Sequence, residues 1–483
     1  MTTAKTKLLI PTRTSMITAV ILCFILGYLA IVFEHPLRLD KTVPALIMAS
    51  FCWALLAVGF NYGWLSVIDT HEEVFSLVGA GSHAAEGHGG PSEGFNNTLL
   101  HHLGKTAEIL IFLIGAMTIV EIIDLHRGFE VLKSYVRTKS KKRLLWIVGI
   151  LGFILSAIID NLTATIVLVT LLRKLVTNRD ERIWFVSLIV IAANAGGAWS
   201  PIGDVTTTML WIGNKVSAGG LIEHLVIPSL VCFALPVFIA TLLPPFKGEI
   251  SLDEDAGDLQ AQKLLSSQIM LFLGLGAIVF VPVFKTLTHL PPYIGMMLSL
   301  GVVWLVSEYI HPEEDFSESR RHMFSAHKAL SRIEMSSILF FLGILMAVAA
   351  LESLVFGTVM HEGAEIQVGT LRYLAEWLDK VIPNQDVVII LLGFASAIID
   401  NVPLVAASMG MYDLPMDAKI WQFIAYSAGT GGSMLIIGSA AGVAAMGMER
   451  IDFIWYLRKI AWLALIGFLA GAIAFLLLIP LLP

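Results

Sequence analysis

The chain has 483 residues, of which 57% are hydrophobic and only 14% charged, with a mean hydropathy of +0.81 and a formal net charge of -7. Soluble domains average about 25% charged residues, so the composition excludes an ordinary soluble enzyme. The lack of a concentrated basic surface argues against a nucleic-acid partner. What remains is an integral protein of the lipid bilayer with many helical spans.

Apolar runs at 17–33 and 43–61 predict two crossing helices. Residues 62–106 read as a loop carrying His71, His83, His88, His101 and His102, whose spacing matches no standard metal motif. A third helix is predicted at 107–124, with Glu108 and Glu121 near its two ends. Next come two apolar arms, 144–159 and 162–172, separated by Asp160-Asn161. Both fall short of the ~20 residues that span a bilayer, so they predict a re-entrant hairpin over 144–175 with its polar tip at membrane depth. Backbone of that kind is tolerated only where protein or water covers it. A helix is then predicted over 183–213, interrupted by Gly196-Gly197, Ser200-Pro201 and Gly203-Asp204. Glycine and proline weaken a helix by about 1 and 3 kcal/mol, so this helix is expected to unwind and expose carbonyls. A closing helix occupies 221–243, and an acidic linker 248–265 contains Glu249, Asp253, Glu254, Asp255 and Asp258.

The same order then returns. Helices are predicted at 266–284, 291–310 and 336–356, the last flanked by Glu334 and Glu352. A second hairpin over 386–412 turns at Asp400-Asn401, a second broken helix spans 420–447 around Gly431-Gly432 and Gly438, and a closing helix covers 453–482. Ser-Ala-Ile-Ile-Asp-Asn occurs at both hairpins, at 156–161 and 396–401, and both broken helices keep a Gly-Gly pair with a glycine six residues beyond it. Lys and Arg residues set orientation. Eleven of them flank the first hairpin, from Arg127 to Arg182, whereas Arg372, Lys380 and Lys419 alone flank the second. The first hairpin therefore has cytoplasmic ends and the second external ones. The reading is an all-α polytopic membrane protein made of inverted repeats, 1–247 and 266–483, multi-pass in the cell's inner (plasma) membrane. The N-terminal Lys5, Lys7 and Arg13 fit this parity poorly.

A carboxylate at the bilayer centre costs roughly 2.5–3.5 kcal/mol on insertion scales. Two of them in matched context point to ion handling at a repeat interface. A hard cation such as Na+ or Li+ wants oxygen ligands, which Asp160, Asn161, Asp400 and Asn401 supply, and H+ competes for the same carboxylates. The competing explanation is that each Asp caps the helix after it. Asp204 is a third intramembrane carboxylate, matched by Ser439 in the second repeat; it too could be only a cap, ahead of Thr206, Thr207 and Thr208. Thr163, Asn194, Ser200, Thr430 and Ser433 are further candidate oxygen donors, each also explicable by backbone bonding or packing. No cofactor is expected. Cys23, Cys52 and Cys232 lack ligand-like spacing, and no phosphate-cradling loop is present, so any transport should draw on ion gradients.

Ile159-Asp160-Asn161-Leu162-Thr163-Ala164-Thr165, the break from Asn194 to Asp204 and the break from Ala428 to Ser439 resemble NhaD-type sodium/proton antiporters of the ion transporter superfamily. The resemblance runs from about residue 100 onward. It implies Na+ or Li+ efflux in exchange for H+, in a setting of salt and alkali tolerance. The superfamily also holds sodium-coupled dicarboxylate carriers and arsenite carriers. The dicarboxylate members carry Ser-Asn-Thr at the tips, where this chain has Asp-Asn-Leu-Thr and Asp-Asn-Val-Pro. An added carboxylate disfavours an anionic substrate, yet Na+-coupled anion transport stays the alternative. The dicarboxylate relatives also imply a homodimer whose hairpins and broken helices move together. An intramembrane aspartyl protease lacks support, because Pro201-Ile202-Gly203-Asp204 misses that family's first glycine.

Overall fold

The computed structural model describes residues 13–69, 73–77, 91–136, 138–250, 264–311, 324–361 and 364–481. His71, His83 and His88, the linker acids Asp253 to Asp258, and Lys5 and Lys7 lie outside the described residues. In chain order the helices are α1 (Arg13–Val32), α2 (Glu34–Leu37), α3 (Thr42–Asn61), α4 (Pro91–Leu125), α5 (Lys141–Ile159), α6 (Asn161–Leu175), α7 (Arg179–Gly197), α8 (Val205–Ile212), α9 (Ala218–Leu242), α10 (Ser267–Thr288) and α11 (Pro292–Tyr309). They continue as α12 (Ala326–Leu330), α13 (Met335–Ser353), α14 (Thr370–Val381), α15 (Gln385–Ser396), α16 (Asn401–Met411), α17 (Lys419–Gly431), α18 (Ala440–Glu449), α19 (Phe453–Lys459) and α20 (Ala461–Leu478). Among the described residues, eight helices are long and apolar enough to cross a membrane.

Several expectations need correction. The loop expected over 62–106 ends early, because α4 begins at Pro91, a favoured first helical residue. Its 35 residues rise about 50 Å, more than the ~30 Å hydrocarbon core. His101 and His102 therefore sit in a helix. The first arm of the first hairpin is not short: α5 has 19 residues, enough to cross, since the helix takes in Lys141 to Arg143. The helix expected over 336–356 stops at Ser353, and the all-α reading missed the strands beyond it. There β3 (Val355–His361) and β4 (Ala364–Gly369) form an antiparallel ribbon pairing Thr358 with Gln367 and Val359 with Ile366. A second, two-residue ribbon joins β1 (Val67–Ile68) to β2 (Val74–Phe75). The last predicted helix is divided at Ile460 into α19 and α20.

The chain forms two compact units. One combines Met1–Ala107, Ser336–Pro383 and Ala407–Asp413. Within it α1 lies on α3, and Trp53 Nε1 donates to Met346 O at 2.8 Å. Its buried His102 bonds Ser353 Oγ at 3.1 Å, which leaves that histidine part of the core. Leu22, Ile25, Leu26 and Leu29 of α1 are exposed, an apolar face suited to lipid.

The other unit combines Glu108–Met335, Asn384–Ala406 and Leu414–Pro483 and contains both broken helices. Each break is real: α7 gives way to α8 over 198–204, and α17 to α18 over 432–439. The two broken helices run in opposite directions. The backbone N–H of Asp417, just before α17, donates to Lys215 O beyond the end of α8 at 2.9 Å. At the other end, Glu449 of α18 meets Arg182 of α7 at 2.9 Å and Arg173 of α6 at 2.7 Å. Glu449 is buried there, with Arg179 capping the last carbonyls of α18.

Candidate functional site

The breaks sit where the unit's hairpin tips arrive, and glycine is what lets them come so close. A Cβ on Gly196 would strike the backbone of Phe153 in α5, and one on the matching Gly431 would strike the backbone of Gly393 in α15. Neither glycine has a positive φ. Their role is close backbone approach, where the sequence had implied weakened helix propensity. Serines complete the match: Ser156 Oγ donates to Ala193 O at 2.6 Å, and Ser396 Oγ to Ala428 O at 2.9 Å.

The tips themselves differ. In the first, α5 runs on through Ile159 and the whole reversal falls on Asp160, at φ 76° and ψ 157°. In the second, α15 stops at Ser396 and residues 397–400 make a longer turn. One hexapeptide therefore adopts two conformations.

What converges is a set of amides around one carboxylate. Asn161 Nδ2 donates to Asp204 Oδ2 at 3.1 Å, and Asn401 Nδ2 donates to that same oxygen at 3.2 Å. Asn161 Nδ2 also reaches Asn194 Oδ1 at 3.0 Å. Asn194 Nδ2 continues the chain of bonds to Ser433 Oγ and Ser439 Oγ, both at 2.9 Å. All six residues are buried; Asp204 is 3% exposed. The other oxygen of Asp204 accepts from Thr206 N at 3.1 Å and so caps α8. One oxygen of Asp204 thus serves the helix cap and the other faces the two amides. Ser439 caps α18 in the matching place.

Asp160 and Asp400 are placed differently. Asp160 accepts from Thr163 N at 2.8 Å and from Thr163 Oγ1 at 2.9 Å, capping α6. Asp400 Oδ1 accepts from Val402 N at 3.2 Å. Both are half-buried, and both lie within electrostatic reach of Asp204. Of the predicted residues, Asn161, Asn194, Asp204, Asn401 and Ser433 are thus joined in one network. Thr163 stays with Asp160. Ser200 Oγ accepts locally from Ile202 N at 3.4 Å, and Thr430 Oγ1 donates to Tyr426 O at 2.7 Å. The sequence reading left Ser439 and Thr206 out of the site. Its pairing of Ser439 with Asp204 across the two halves was the signal that pointed there. Thr206 Oγ1 is buried beside the Asp204 carboxylate that caps its own N–H.

Chemically, the cluster offers one carboxylate, three carboxamides and hydroxyls, with no sulfur or imidazole. That donor set suits a hard monovalent cation or a proton.

The family described as Citrate transporter matches residues 28–425. The chain is 44% identical over 463 residues to Sodium/proton antiporter 1 of Arabidopsis thaliana, covering 95% of this chain and 72% of that one. It is 30% identical over 479 residues to the Na(+)/H(+) antiporter NhaD of Alkalimonas amylolytica, covering 93% and 88%. In structure it is similar to the YdaH transporter of Alcanivorax borkumensis, with a TM-score of 0.57, 15% identity, and coverage of 92% of this chain and 98% of that one. That likeness concerns the fold.

Proposed function

This chain belongs to the citrate-transporter family and within it to the NhaD-type sodium/proton antiporters, and from that premise we propose that it exports Na+ and Li+ in exchange for H+ by alternating access. The observation that carries the reading is the convergence of Asn161 and Asn401, one from each tip, on a single oxygen of Asp204. In our reading the tips belong to re-entrant hairpins of an inverted repeat. The opposed broken helices and their matched glycine contacts support it. The protein would sit in the plasma membrane as a homodimer.

The mechanism rests on what each group can exchange. A carboxamide presents N–H on one edge and C=O on the other, and its terminal torsion is soft. With both amides donating, Asp204 is held without a cation. If Asn161 and Asn401 turn about 180°, their oxygens join Asp204 Oδ2 and form an oxygen cage for Na+ or Li+. Asp160 and Asp400 stand one residue away and draw the cation to the tips, completing a site at Asp160, Asn161, Asp400 and Asn401. A proton on Asp204 removes the charge that holds the metal ion, so loading by one expels the other. The membrane potential, ~2.3 kcal/mol per charge per 100 mV, adds to efflux whenever the ratio of H+ to Na+ exceeds one.

Everted vesicles with a pH-sensitive dye provide the test. Na+ and Li+ should each collapse a preformed pH gradient, succinate and citrate should not, and Asp204→Asn at normal expression should abolish the response. Na+-driven succinate uptake, or full exchange in Asp204→Asn, would overturn the proposal.

A further inference from the structure

A cavity of about 400 Å³ opens beside α6 in the same unit as the amide cluster, on the side of the molecule where α6 and α4 end. Its volume corresponds to roughly a dozen waters at ~30 Å³ each, room for a hydrated monovalent cation. Thr163, Val167 and Thr170 line it from α6. Their spacing puts them on one face of that helix. Thr163 is the residue whose N–H and hydroxyl hold Asp160, so the stripe ends at the tip. Across from it stand Glu121 and Asp124 of α4, with Arg332 between. Arg332 Nη2 meets Asp124 Oδ2 at 2.7 Å, and its Nε meets Glu121 Oε2 at 3.1 Å. Arg332 is 40% exposed and Asp124 47%, so this ion pair lies at the wet end.

We infer that this cavity is the access vestibule for the cation on the first-hairpin side, and that Arg332, clasped by Glu121 and Asp124, sets the electrostatic barrier to reaching Asp160. The inference rests on the antiporter reading for its cargo. Half-exposed ion pairs are weak and readily opened by water. A guanidinium in the path repels a cation. Arg127, Glu130 and Lys174 also line the cavity, and Lys174 pairs with Glu130 at 3.0 Å. Swung away or removed, Arg332 leaves three carboxylates against two cations, so the lining turns from neutral to net negative and favours a cation. Arg332 is thus a determinant of access and is no ligand of the bound ion.

The test needs no transport. With Cys23, Cys52 and Cys232 replaced, Val167→Cys is placed in everted and in right-side-out vesicles. It is then treated with a cationic and an anionic membrane-impermeant thiol reagent of equal size. Labelling is expected only from the first-hairpin face. Adding Arg332→Gln should raise the ratio of cationic to anionic reaction rates about tenfold, while Arg332→Lys should leave it near the parent value. In the otherwise native chain, Arg332→Gln should lower the Na+ KM severalfold at an unchanged maximal rate. A rate ratio indifferent to residue 332, or labelling from the opposite face, would overturn the vestibule. Loss of Na+-dependent proton flux in the parent chain would instead overturn the antiporter reading, and the labelling ratio would still report on the cavity.

Discussion

Asp160 occupies a backbone conformation that few residues accept. At φ 76° a β-carbon crowds the backbone, and such positions cost of order 1–3 kcal/mol unless their surroundings enforce them. With ψ at 157° the residue lies outside the left-handed helical well that Asp and Asn tolerate, in a region essentially reserved for glycine; Thr163 supplies the two donors that hold the side chain there. This allows charge to be separated from fold. Asp160→Asn keeps an acceptor for Thr163 N, so its thermal midpoint should stay near the parent's, whereas Asp160→Ala should lose about 1 kcal/mol with the cap. If Asp160 draws the cation in, Asp160→Asn raises the Na+ KM in vesicle flux about tenfold, ~1.4 kcal/mol. An unchanged KM would reduce Asp160 to a cap. The sequence could not show which member of each Asp-Asn pair turns inward. Neighbouring residues of a helix point about 100° apart, so at each tip one polar side chain faces the cluster and the other serves the helix end. Asn161 and Asn401 took the inner place. The duplicated carboxylates that drew attention in the sequence took the outer one.

Helices meet in this molecule through two devices with different chemistry, one steric and one polar. The steric device is the pair Gly196 and Gly431. An alanine there would force a helix off the backbone of Phe153 or Gly393, costing roughly 1–3 kcal/mol as overpacking does. Gly276 of α10 has open space around it, so Gly276→Ala should gain about 1 kcal/mol from helix propensity. Thermal midpoints in one detergent should therefore move in opposite directions for the two classes of substitution. Equal shifts would mean that the close approach does not matter. The polar device is His126, just past the end of α4. Its Nδ1 lies 2.8 Å from Ser266 Oγ, before α10, and its Nε2 lies 3.2 Å from Ser307 Oγ of α11. Burial pulls this imidazole from an ordinary 6.5 down to about 4. Below pH 6.5 the unfolded chain takes up a proton that the folded one refuses, so stability is full above 6.5 and falls towards pH 4. By pH 5 the loss is roughly 2 kcal/mol. His126→Gln should flatten that fall in a pH series of thermal midpoints, and an unaltered series would show that other groups cause it. The glycines were legible because both copies repeat them in register. His126 was not, since its partners Ser266 and Ser307 lie far along the chain and nothing local marks it.

At the scale of the whole chain, the order of helices, hairpins and breaks followed from hydropathy and from one repeated hexapeptide. The β3–β4 ribbon did not, because Leu354, Val355 and Phe356 continue the apolar run of α13 past Glu352 with no proline to break it. Nor did the asymmetry of the cluster. Asp204 and Ser439 occupy the same cap in their two halves, yet only one can lose a charge. A single carboxylate shared by two tips ties ion binding to the stability of the entire fold. A ligand that binds only the folded state stabilises it by about 2.7 kcal/mol at a hundred times its Kd. If Na+ and H+ compete for Asp204, each pH unit below the site's protonation midpoint weakens apparent Na+ affinity tenfold and removes ~1.4 kcal/mol of that stabilisation. The upward shift of the thermal midpoint by Na+, relative to choline at equal ionic strength, should therefore be large at alkaline pH and shrink steadily on acidification. Asp204→Asn should show no Na+ shift at any pH while remaining folded. A Na+ shift that persists undiminished into acid would mean that the two ions occupy different groups, and exchange through one shared carboxylate would have no physical basis.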